Sequence, residues 1–128
     1  MPPNETHAGL GRLQLQLPPE SGAPAAARRA LRTLPLGDRA DDVLLIASEL
    51  VTNAVVHADT AEPIELIAEC RPDSTWVEVR DRGTGFGAPP VGQGHGLQIL
   101  ALASERWGIV HDGCTAVWFE VAGGHATA

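Results

Sequence analysis

Apolar and polar residues recur with regular periods along most of the chain, and these periods predict its elements. The strongest pattern runs from Val43 to Ala58. Val43, Ile46, Ala47, Leu50, Val51, Ala54 and Val55 fall on one side of a helical wheel, so the stretch reads as an amphipathic helix. Leu13-Gln14-Leu15-Gln16-Leu17 alternates strictly, the signature of a half-buried strand, and Pro18-Pro19 closes it. A helix rich in good helix formers opens at Ser21 or Gly22 and runs through Arg32, until Pro35 and Gly37 break the pattern. Asp38, Asp41 and Asp42 put negative charge where the long helix begins and its macrodipole favours it.

The second half reads mainly as strands. Ile64–Cys70 and Trp76–Asp81 flank a turn at Arg71–Ser74 and predict an antiparallel hairpin. Alternation sets Trp76, Glu78 and Arg80 on one face and Val77, Val79 and Asp81 on the other, so Asp81 ends the strand on its apolar side. A glycine-dense segment, Gly83 to Gly96, leads into a predicted helix from Leu97 to Ser104. Trp107–His111 and Thr115–Val121, joined at Asp112-Gly113, form a final hairpin. The order β-α-α-β-β-α-β-β predicts an α/β fold, an α+β two-layer sandwich whose mixed, largely antiparallel sheet carries helices on one face. Residues 1–10 are expected to be a flexible leader, 11–122 the domain and 123–128 a flexible tail.

Composition narrows the classes. At 128 residues, 44% hydrophobic and 20% charged, the chain is expected to bury a single globular core. No apolar run approaches the ~20 residues of a membrane span, and a soluble cytoplasmic protein is the expectation. The net charge of −7 argues against a nucleic-acid surface. Every basic residue is Arg, which excludes a P-loop lysine and Schiff-base chemistry. Cys70 and Cys114 lack zinc spacing and read as reduced core thiols within strands.

Three constellations carry candidate chemistry. Glu49, Asn53 and His57 are spaced i, i+4, i+8 and stack as a polar stripe beside the apolar face of the long helix. Glu49 is able to serve as a base, and Asn53 offers a neutral oxygen to a hard cation such as Mg²⁺. The same stripe is also what the wet edge of any amphipathic helix presents. Asp81-x-Gly83-x-Gly85 combines a strand-end carboxylate, suited to accept from an exocyclic amine, with glycines that let the backbone approach a flat ring. Gly92-x-Gly94-x-Gly96-Leu97 precedes the predicted helix, where unobstructed N–H groups form an anion site. Either glycine cluster alone is equally an ordinary turn. The dinucleotide fingerprint does not apply, because these glycines follow an antiparallel hairpin rather than opening a βαβ unit.

Taken in order, Glu49-x-x-x-Asn53, Asp81-x-Gly83-x-Gly85 and Gly92-x-Gly94-x-Gly96-Leu97 resemble the three nucleotide-binding boxes of the GHKL (histidine kinase-like) ATP-binding superfamily, with its Bergerat-type sheet. The helix SELVTNAVVHA and the endings RWGI and AVWFEV look most like the single-domain anti-sigma-factor serine kinases, and the resemblance spans about residues 11–121. It implies ATP or ADP and Mg²⁺ as cofactors, Glu49 as general base and Asn53 as the metal ligand. Asp81 would read the adenine amine, Gly83 and Gly85 would shape the base pocket, and Gly94, His95, Gly96 and Leu97 would offer backbone to phosphates. Thr115 matches the family threonine beside adenine, with Ala116 in its place if the register slips by one. His57 and His95 each have a structural alternative to a binding role.

The implied function is ATP-dependent phosphorylation of a small antagonist protein by a regulator that sequesters a sigma factor, and homodimerisation is left open. One alternative is a nucleotide-gated binding module with little kinase activity. Another is a stand-alone histidine-kinase-like ATPase domain, for which the sequence offers no phosphoacceptor helix pair. One departure bears on turnover: Phe86–Val91, between the glycine boxes, contains two prolines and no basic residue, where kinases of the family usually carry a longer, often basic lid.

Overall fold

The computed structural model describes residues 11–56, 61–81, 104–111 and 114–122. Strict alternation makes β1 (Gly11–Leu17) an edge strand, with Leu13, Leu15 and Leu17 turned toward the core and Arg12, Gln14 and Gln16 exposed. It pairs antiparallel with β2 (Ile64–Arg71), which in turn pairs with β3 (Ser74–Asp81). Arg71 lies opposite Ser74, so only Pro72-Asp73 forms the turn. This hairpin is tighter than the sequence pattern predicts, because Arg71 and Ser74, read as the ends of the turn, are both strand positions.

The last two strands are β4 (Arg106–His111) and β5 (Thr115–Ala122), and the sheet order is β1-β2-β3-β5-β4. All four pairings among the described strands are antiparallel, in keeping with the largely antiparallel sheet expected from sequence. The order follows from burial. Residues of β5 are buried on both faces, so it sits inside against β3, whereas β4 exposes Trp107, Ile109 and Val110 and takes the edge.

Helices cover one face. α1 (Ala23–Leu31) has a proline in its first turn and packs on β1 and on α2 (Ala40–Val56). Gly37, at φ 63°, adopts the left-handed conformation that glycine tolerates, and the 3₁₀ turn Gly37–Arg39 feeds directly into α2. The predicted break is thus the lead-in of the long helix, with Asp41 and Asp42 in its first turn. α2 lies across β3 and β5 and buries Val43, Ile46, Ala47, Leu50, Val51 and Ala54 against Leu66, Val77, Val79, Val117 and Phe119. Truncating Leu50 to Ala in such a core costs about 2–5 kcal/mol.

Arg39 fastens the helical layer to the sheet. It is buried, and donates from Nε to the Leu36 carbonyl (3.2 Å) and from Nη1 to the Arg71 carbonyl (3.3 Å). Both cysteines are free thiols. Burial pushes the Cys70 thiol up, against the opposing hydrogen bond with Thr75 and the charge of Arg39. Cys114 departs from its expected place: it lies half-buried just before β5, outside the core cluster. No described helix is long and apolar enough to cross a membrane.

Candidate functional site

Alternation along β3 predicts Asp81 on the apolar face, and the structure places it there with only 3% of its surface exposed. In the β3–β5 ladder Asp81 stands directly opposite Thr115, itself 4% exposed. Directly opposed residues of an antiparallel pair share a face, so the carboxyl and the hydroxyl both belong to the helix-covered side. Ala116 instead pairs with Arg80 on the reverse side. The register thereby separates the two positions that the sequence leaves open. Sequence alone misses this because residues 81 and 115 are distant in the chain and no hairpin signal links β3 to β5.

α2 crosses the same face. Glu49 and Asn53 are half-buried on it, beside the buried Leu50 and Ala54, one helical turn apart as their spacing requires. Thr52, between them, points outward and spends its hydroxyl on the Ser48 carbonyl (2.7 Å). A carboxylate and a neutral amide therefore line the border between core and solvent on the helix layered over β3 and β5. His57, Gly83, Gly85, Gly94, His95, Gly96 and Leu97 lie outside the described residues, as does the predicted helix from Leu97.

The donor set fits a nucleotide better than a bare metal. Asp81 supplies acceptors suited to an amine, and Thr115 supplies a hydroxyl able to donate or accept beside it. Among the described residues no group of three His, Cys, Asp or Glu is placed to hold a metal by itself. A Mg²⁺ ion at Asn53 would thus share its oxygens with phosphates and water, the usual habit of that ion.

The reverse side of the same strands is chemically distinct. A cavity of about 270 Å³ opens there, lined by Glu78, Arg80, Val110, Cys114, Ala116 and Trp118. Arg80 donates to Glu78 from Nη2 (2.6 Å) and Nε (3.1 Å), and this bond raises its already high pKa. The cavity is separated from Asp81 and Thr115 by the sheet itself, because neighbouring residues of a strand face opposite ways.

The structure is thus a two-layer sandwich with a buried strand-end carboxylate on the sheet face that a helix bearing Glu49 and Asn53 covers. The sequence matches the model of the histidine kinase-like ATPase domain over residues 20–118, and the chain belongs to that family. No curated protein matches it significantly.

Proposed function

We propose that the chain is a regulatory protein of the anti-sigma-factor kinase type, which binds ATP with Mg²⁺ and transfers phosphate to a serine of a small antagonist protein. The observation that carries the nucleotide part is the buried pair Asp81 and Thr115 under α2, in a chain of the histidine kinase-like ATPase family. Asp81 would accept from the adenine amine, and Thr115 would fix the ring beside it. Asn53 would hold Mg²⁺, which when bound neutralises phosphate charge. Glu49 would take the proton of the attacking hydroxyl. The regulatory part rests on the likeness of the Ser48–Ala58 helix and of the two strand endings to the anti-sigma branch.

A second reading, a nucleotide-gated binding module with slow or no phosphotransfer, is favoured by one specific feature. The Phe86–Val91 segment carries no basic side chain to stabilise charge on a transferring phosphate. Incubation with labelled ATP, Mg²⁺ and candidate antagonist proteins separates the two. Acid-stable phosphate on the antagonist supports the kinase; nucleotide binding that alters partner capture without transfer supports the gated module; acid-labile phosphate contradicts both.

A further inference from the structure

The helical layer covers one face of the sheet, and among the described residues no helix or strand covers the other, open face. The strand register explains the cavity found there. Glu65, Arg80, Ala116 and Val110 form one row across β2, β3, β5 and β4, and Ile67, Glu78, Trp118 and Gly108 form the next. Ala116 is the shortest side chain of its row, between Arg80 and Val110, so a hollow forms above it. Trp118 and Cys114 close the hollow on either side along the chain. The Trp118 indole occupies the space left by Gly108, where an added Cβ would come within 2.7 Å of the ring nitrogen.

The polar wall of the cavity is only partly used. Arg80 donates from Nε (3.1 Å) and Nη2 (2.6 Å) to the same oxygen of Glu78, Oε2. A guanidinium fork often binds both oxygens of a carboxylate in parallel. Here the two bonds converge on one oxygen. Among the described residues, Nη1 of Arg80 and Oε1 of Glu78 therefore have no hydrogen-bond partner. The cavity thus offers a charged donor and a charged acceptor side by side, with apolar walls from Val110, Ala116 and Trp118.

Charge selects among ligands. An acid would suit Arg80 but bring negative charge beside Glu78, in a chain that already carries −7. An amine would suit Glu78 but meet Arg80. A zwitterion matches both groups and adds no net charge. In an α-amino acid one carbon holds the carboxylate and the ammonium, which suits a donor and an acceptor already in contact. At about 270 Å³ the cavity falls just below the ~300–1,000 Å³ of drug-sized sites, a size for one amino acid rather than a peptide.

We infer that this cavity binds a free α-amino acid with an apolar side chain. Its carboxylate accepts from Arg80, its ammonium donates to Glu78, and its side chain lies against Val110, Ala116 and Trp118. The site is across the sheet from Asp81 and Thr115 and stands whether or not those residues bind a nucleotide.

Calorimetric titration of the full chain with leucine, methionine and phenylalanine, without nucleotide, tests it. Saturable binding of at least one is expected. The analogues of that amino acid lacking the ammonium or the carboxylate (for leucine, isocaproate and isoamylamine) are expected to bind about tenfold more weakly or worse. Ala116→Leu fills the hollow and keeps both charges, and Arg80→Gln removes the carboxylate's partner. Each is expected to weaken binding by about tenfold or more, with circular dichroism confirming the fold. Leu45→Glu, on the exposed side of α2, is expected to leave binding unchanged. No saturable binding of any of the three amino acids up to about 10 mM overturns the inference. So does an analogue lacking one charge that binds as tightly as its parent, or binding that Ala116→Leu leaves intact.

Discussion

Asp81 and Thr115 face each other across the β3–β5 ladder, both buried, on the side of the sheet that α2 covers. This opposition pairs an acceptor with a hydroxyl at the end of an otherwise apolar face. Ionised Asp81 offers only acceptors, so an adenine amine suits it and a guanine carbonyl does not. Asp81→Asn is expected to weaken ATP binding by about 1–3 kcal/mol, the range for a lost partner of a buried polar group. Thr115→Val, which keeps the shape and removes the hydroxyl, is expected to cost about 0.5–1.5 kcal/mol. Calorimetric titration of each variant measures both, and unchanged affinity in Asp81→Asn would show that this carboxylate does not read the base.

The two polar residues of α2 are expected to separate by role. Asn53→Ala should lower the Mg²⁺-dependent part of ATP affinity while leaving the melting temperature nearly unchanged, because Asn53 lies at the border of the apolar stripe. Glu49→Gln keeps volume and removes basicity, so binding should persist while any phosphotransfer falls by about 10²–10⁴-fold. Equal transfer rates in Glu49→Gln and wild type would remove Glu49 from the base role.

Stability at acid pH is expected to depend on Glu120, far along β5 from Thr115. Burial alone would raise this carboxyl's pKa. Hydrogen bonds from Arg106 and Ser74 and the charges of Arg106 and Arg71 outweigh burial and leave it below the ordinary value of 4.5. A depressed folded-state pKa contributes stability above the unfolded value, and that contribution is lost as pH falls through the folded value. Glu120→Gln should therefore be less stable than wild type at neutral pH, with the gap closing at pH values below about 4.5. Urea unfolding of both proteins across that range checks it; a gap independent of pH would mean that Glu120 acts by packing alone.

Gly108 offers a test of packing on the open face. Gly108→Ala would gain about 0.5–1 kcal/mol from strand propensity. Its Cβ, however, would stand 2.7 Å from the Trp118 indole nitrogen, so the ring must leave its place. Overpacking of this kind costs about 1–3 kcal/mol, and net destabilisation is expected. Thermal unfolding, with tryptophan fluorescence to follow the ring, gives the sign directly.

Periodicity made much of the fold legible. The seven apolar positions of α2 predict its buried stripe, and only Val55 among them is partly exposed. Alternation likewise placed Asp81 on the inner face. What sequence left open were long-range choices that no local pattern encodes. The β3–β5 register joins residues far apart in the chain, so Thr115 and Ala116 could not be told apart without it. Ser74 reads as a turn residue because its polarity hides its partner: it is a strand position that donates to Glu120 (3.0 Å). The strand order is equally hidden, because relative burial, which sends β5 inward and β4 to the edge, becomes visible only in the packed structure. The glycine boxes, legible as spacing, fall outside the described residues.

Calorimetric titration of the wild-type chain with ATP, ADP and GTP in the presence of Mg²⁺ tests adenine-nucleotide binding most directly. Saturable binding of ATP and ADP is expected, with affinities within about tenfold, or ~1.4 kcal/mol, because the Phe86–Val91 segment carries no cation to grip a terminal phosphate. GTP should bind at least about tenfold more weakly, because guanine presents a carbonyl where Asp81 needs a donor. Equal affinity for GTP and ATP, or no binding of either adenine nucleotide, would contradict the assignment of Asp81 and Thr115 to the base.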